Sequence, residues 1–99
     1  MEEQKLYVGV EGVKLILDVS VDISQSDVRK ILYKKPVGGI SDCWEAEIES
    51  DTEISYIFQA GDIDAAGYWE FQSYVETADW KITGDKVRKL VEGPIIPCP

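Results

Sequence analysis

The chain of 99 residues contains no histidine and no asparagine, and only one methionine and two cysteines. Without histidine it cannot build Ser-His-Asp or Cys-His nucleophile activation, histidine-bearing zinc sites or imidazole acid–base chemistry. Without asparagine it has no N-glycosylation acceptor. Long apolar runs are missing as well: none approaches the roughly 20 residues that cross a bilayer. The opening Met-Glu-Glu-Gln-Lys is acidic, unlike the basic start of a secretory signal. The expectation is a chain made in the cytoplasm, with no signal peptide and no membrane partner. Lysine and arginine are absent between Pro36 and Trp80, where eleven acidic residues fall, while the rest of the chain holds eight acidic and ten basic ones.

The net charge of −9 repels phosphate backbones and anionic membrane surfaces, so no nucleic-acid partner is expected. Clusters such as Arg29, Lys30, Lys34, Lys35 and Lys86, Arg88, Lys89 read as solvated strand faces. The length fits one domain over residues 1–92, with a proline-rich tail over 93–99 that cannot continue a strand ladder. Cys43 and Cys98 lie far apart, and in a cytosolic protein two free thiols are expected.

Period-2 patterning dominates what is present. Val13, Leu15, Leu17, Val19, Val21 and Ile23 occupy alternate positions, the mark of a strand with one buried face. Leu6 to Val10 reads as a short opening strand. From Cys43 to Ser50, Trp44, Ala46 and Ile48 alternate with Glu45, Glu47 and Glu49, predicting one strand that buries its apolar residues and turns at 50–52 into a second, Ile54 to Phe58. In 68–76 the same rule points Trp69, Phe71, Ser73 and Val75 inward and Tyr68, Glu70, Gln72, Tyr74 and Glu76 outward. Trp80 to Val91 closes the chain as a strand, or as two broken at Gly84 and Asp85. Residues 26–35 and 85–92 fit helical spacing as well, so an α+β alternative stays open there.

No catalytic, cofactor or metal constellation follows from these residues. Asp62 and Asp64 lack the further carboxylates and glycine of a calcium loop and read as a turn, with Asp64 accepting from loop amides. Alternating glutamates are solvated, and Cys43 has no basic neighbour to activate it. Asp64, Gly67 and Trp69 have the D-x-x-G-x-aromatic spacing of the tyrosine corner that closes β-sandwiches. Here an indole N–H would donate where a phenol usually does.

Tyr7-Val8-Gly9, Lys34-Lys35-Pro36 with Gly38-Gly39, the run Gln59 to Gly67, Phe71 to Val75, and Gly84 together span nearly the whole chain. In that order and spacing the sequence resembles immunoglobulin-like domains of phage and prophage tail or baseplate proteins, including the N-terminal domain of baseplate upper proteins. It departs from them with Pro36-Val37-Gly38 where a Pro-Asp-Gly turn is usual, and with Trp69 in place of the corner tyrosine. The resemblance implies an all-β, immunoglobulin-like antiparallel sandwich of about seven strands, with both ambiguous segments as strands and the sixth strand between the third and seventh. Glu70 and Glu76 would then sit beside basic residues of 29–35 and 81–89, and the glutamates of 45–53 would have no such neighbours. It offers no catalytic residues and implies assembly or attachment within a virion, through a protein partner or self-association. The surfaces expected to bind are Glu45, Glu47, Glu49, Tyr68 and Tyr74. Two other readings are an acidic phage-encoded inhibitor mimicking nucleic-acid charge, and a carbohydrate-binding attachment module stacking sugars on Trp80 or Tyr74.

Overall fold

The computed structural model describes residues 6–36 and 38–93, which form strands and loops and no helix. The strands are β1 (Leu6–Tyr7), β2 (Lys14–Asp18), β3 (Val28–Lys34), β4 (Ser41–Glu45), β5 (Glu47–Ser50), β6 (Glu53–Ile57), β7 (Gly67–Glu76) and β8 (Lys81–Glu92). One sheet has the order β1-β8-β7-β3-β4 and the other β2-β6-β5. Only β1 and β8 pair in parallel. The last long strands flank one another, with β7 between β3 and β8. The fold is an all-β sandwich.

The core is the set of inward positions from both layers. Ile31, Trp69, Phe71 and Val75 from the larger sheet meet Leu15, Leu17, Ile54 and Phe58 from the smaller. Across the open side of the sandwich, Tyr33 stacks on Trp44 at 4.2 Å and Trp44 on Tyr56 at 4.7 Å, so three rings from three strands bridge the two layers.

Both segments that fit helical spacing are strands, and the α+β alternative is overturned. In β3, Ile31 lies opposite buried Ser73 and faces the core, whereas Leu32 lies opposite Gln72 on the outer face. Apolar side chains on both faces of one strand imitate the i, i+3, i+4 spacing of a helix. In β8 the cause is a bulge: Gln72 pairs with Lys86 but Tyr74 with Thr83, which moves the inward phase from even to odd positions between Ile82 and Val87. The strand therefore runs unbroken through Gly84.

Three expected strands are shorter than their patterns. The opening strand is confined to Leu6–Tyr7. The run from Val13 to Ile23 keeps alternate burial through Val19 and Ile23, yet its ladder ends at Asp18, whose carboxylate accepts the Ser20 amide at 2.8 Å. Ser20 there adopts φ 67°, and Asp22 repeats the device on Ser24 at 2.9 Å. The single strand expected over 43–50 is two strands in different sheets. β4 pairs with β3 up to Glu45 opposite Lys30, and β5 pairs with β6 from Glu47 opposite Ser55. Ala46 makes the crossing, buried, with its amide donating to the Arg29 carbonyl at 2.9 Å. Ile48, expected inside, is 44% exposed, because β5 is an edge strand with a register irregularity after that residue.

Candidate interaction surface

At one end of the sandwich the predicted corner residues are gathered together. The Trp69 indole is fully buried and donates its N–H to the Ala65 carbonyl at 2.9 Å. Gly67 has φ 124°, and a Cβ there would lie 2.8 Å from the Pro36 ring, so only glycine lets the two loops approach. Asp64, expected to accept from loop amides, is held chiefly by a cation and only secondarily by a backbone amide, its own. Its carboxylate receives Lys35 Nζ at 2.9 Å, and that ammonium also stands over the Trp69 ring at 5.8 Å. The ion pair holds Asp64 below and Lys35 above their ordinary pKa values. The amide-capping role belongs to Asp62, which accepts Gln59 N–H at 2.7 Å and the Tyr56 hydroxyl at 2.6 Å. Burial first, then that carboxylate, pushes the Tyr56 phenol well above its usual range.

The residues expected to bind lie on two faces of the sandwich. Tyr68 and Tyr74 face outward from β7 in the five-stranded sheet, opposite Leu90 and Thr83. Glu45, expected to have no basic neighbour from 29–35, joins them paired across the ladder with Lys30, because β4 lies beside β3 in this sheet. Glu47 and Glu49 lie on the three-stranded sheet, because the chain changes layer at Ala46. Glu49 is not without a cation there, as expected, but accepts Lys14 Nζ at 3.0 Å. That hydrogen bond holds its carboxyl below the usual value.

The outer face of the five-stranded sheet carries Lys30, Lys34, Lys81, Lys86 and Arg88 against Glu45, Glu70, Glu76 and Glu92, a small positive excess on a chain of net charge −9. Glu70 is flanked directly by Lys34 and Arg88, and Glu76 by Lys81 at 3.9 Å. Arg88 lies over the Tyr68 ring at 4.3 Å. Tyr68, Leu90 and Tyr7 are exposed by 53%, 46% and 49%, three large apolar side chains on three neighbouring strands. Beside them Leu32, Cys43, Glu70, Gln72 and Lys86 line a shallow groove of about 420 Å³. Cys43 carries a free thiol in that groove; Cys98 and the tail from 94 lie outside the described residues.

Lys34, Lys86, Arg88 and Leu90 are absent from the predicted surface. The signal that would have found them is the phase change at Gly84, which puts 86, 88 and 90 on the face of Tyr68. The opposite face, on β2, β6 and β5, exposes Ile16 and Ile57 by 44% and 46% among Asp18, Glu47, Glu49, Glu53 and the single Lys14. The stacking residues of the carbohydrate reading are engaged within the fold. Trp80 is partly buried against the core, and the Tyr74 hydroxyl donates to Glu76 at 2.7 Å. Comparison with models of known families, with curated proteins and with solved structures found no match.

Proposed function

We propose that the chain is a non-enzymatic structural and interaction module of a phage or prophage tail or baseplate particle, docking a protein partner on the outer face of the five-stranded sheet. The observation that carries the docking surface is the cluster of exposed Tyr68, Leu90 and Tyr7 with Arg88 laid over the Tyr68 ring. Tyrosine and arginine dominate the energetics of protein interfaces, because both bury large areas while keeping hydrogen-bonding ends. A face with a positive excess on an acidic molecule also orients a partner, since an acidic surface meets attraction there. The assignment to a particle is supported by the resemblance of the glycine-rich corner and strand motifs to tail and baseplate domains.

The test is composition. Particles purified from the bacterium that carries the gene should contain the chain in fixed ratio to a tail or baseplate protein. Tyr68→Ala with Arg88→Glu, both at exposed positions, should leave the fold intact by circular dichroism and remove the chain from the particles. Particles that lack the native chain, or that keep the doubly substituted chain at the native ratio, would overturn the proposal.

A further inference from the structure

The two outer faces of the sandwich are complementary to each other. One offers Tyr68 and Leu90 within a frame of Lys34, Lys86 and Arg88. The other offers Ile16 and Ile57 among Asp18, Glu47, Glu49 and Glu53, with Lys14 beside Ile57 and paired to Glu49. Each has an apolar centre; the first keeps a small positive excess although Glu70 lies between Lys34 and Arg88, and the second has an acidic excess. We propose that the partner of the basic face is the acidic face of a second copy of this chain, so that copies associate head to tail. The proposal rests on the docking reading above and names its occupant.

Two arguments set the form of the association. The contact uses different patches on the two copies, so each added copy leaves one basic and one acidic face open, and growth continues toward a ring or a row. The smaller sheet limits its strength. Three strands about 5 Å apart and five residues long at about 3.4 Å each present roughly 300 Å², against about 800 Å² per partner in a standard stable complex. An isolated contact of that size is weak, with a dissociation constant of roughly 0.1 to 1 mM. The net charge of −9 opposes approach, but beyond about 8 Å it is screened at physiological ionic strength, whereas facing side chains in a contact are closer than that.

Sedimentation velocity of the native chain at physiological salt tests the idea. The weight-average sedimentation coefficient should climb between roughly 10 μM and 1 mM without levelling at a dimer. Two doubly substituted chains then distinguish the faces. Lys34→Glu with Lys86→Glu makes both faces acidic, and Glu47→Lys with Glu49→Lys makes both basic. Each alone should associate at least about tenfold more weakly than the native chain. An equimolar mixture should associate again, because every basic face finds an acidic one. A native chain that stays monomeric over the whole range overturns the inference. So does undiminished association of the Glu47→Lys, Glu49→Lys chain, which would place the contact elsewhere. In either case incorporation into particles that depends on Tyr68 and Arg88 would leave the docking proposal standing, whereas its loss would remove both.

Discussion

Trp69 holds together the two loops at its end of the sandwich through one ring. Its apolar faces fill the core, its N–H satisfies the Ala65 carbonyl, and Lys35 stands above it paired with Asp64. Trp69→Ala removes all three and is expected to lower the unfolding free energy by about 3 to 5 kcal/mol in urea denaturation. A loss below about 1 kcal/mol would mean the ring is not the keystone of the corner. The ion pair itself can be isolated by pH. Because Asp64 titrates below its ordinary value in the fold, its contribution is complete above about pH 4 and fades as pH falls through the lowered value. Asp64→Asn should therefore be less stable than the native chain at neutral pH, and the gap should close in acid. Tyr56 behaves in the opposite sense. Its phenol is held neutral in the fold by burial and by Asp62, while in the unfolded chain it ionises near pH 10. Stability that depends on it is full below about pH 10 and declines as pH rises further. Tyr56→Phe should cost about 1.5 to 3 kcal/mol at neutral pH through loss of the hydrogen bond to a carboxylate. Its stability should also fall less steeply in alkali than that of the native chain.

At the scale of the strands, the bulge in β8 depends on one close approach. A Cβ built on Gly84 would overlap the Ser73 hydroxyl, and Gln72 Nε2 donates to the Gly84 carbonyl at 2.8 Å, closing the backbone group that the bulge leaves open. Gly84→Ala should destabilise by about 1 to 3 kcal/mol, as overpacking does. Ser73→Ala removes the atom in conflict, so the double variant should recover a good part of that loss, and a double-mutant cycle should show the coupling directly. Additive effects would mean that Gly84 is needed for its backbone alone. The same bulge explains what could and could not be read from the amino acids. The inward set of β7 was legible, because Trp69, Phe71, Ser73 and Val75 keep one parity over ten residues. In β8 the parity shifts midway, and Leu90 falls outside although it reads as core. In β3 apolar residues occupy both faces. The glutamate ladder was misread for a different reason: alternation reports which residues share a face, but not to which sheet that face belongs. Nothing local in Glu45-Ala46-Glu47 announces a change of layer beyond the small side chain at its centre. That change leaves Glu45 on the face of Tyr68 and Tyr74 and carries Glu47 and Glu49 to the other sheet.

For the whole molecule the governing quantity is the imbalance of nineteen acidic against ten basic side chains. The fold returns the acidic middle of the chain to its basic flanks, since β7 lies between β3 and β8 and brings Glu70 and Glu76 beside Lys34, Arg88 and Lys81. These contacts are at the surface, as are Lys14–Glu49 and Lys35–Asp64, and solvent screening leaves exposed pairs little net effect on stability. They are too few to offset the unpaired carboxylates. Two opposing salt effects then compete: screening weakens the pairs, which destabilises, and weakens the general repulsion, which stabilises. With the surplus of negative charge lying on the three-stranded sheet and in the loops, the second should win. The urea midpoint at neutral pH is expected to rise as sodium chloride increases from about 0.01 M to about 1 M, where the screening length contracts from about 30 Å to about 3 Å. Near pH 4, where carboxylates are about half protonated, the rise should largely vanish. Measured at low protein concentration, so that association does not contribute, a midpoint that falls with salt at neutral pH would show instead that the cross-strand pairs outweigh the repulsion. The basic face would then act chiefly as an internal counterweight to the acidic strands, and its claim to be a docking surface would rest on Tyr68 and Leu90 alone.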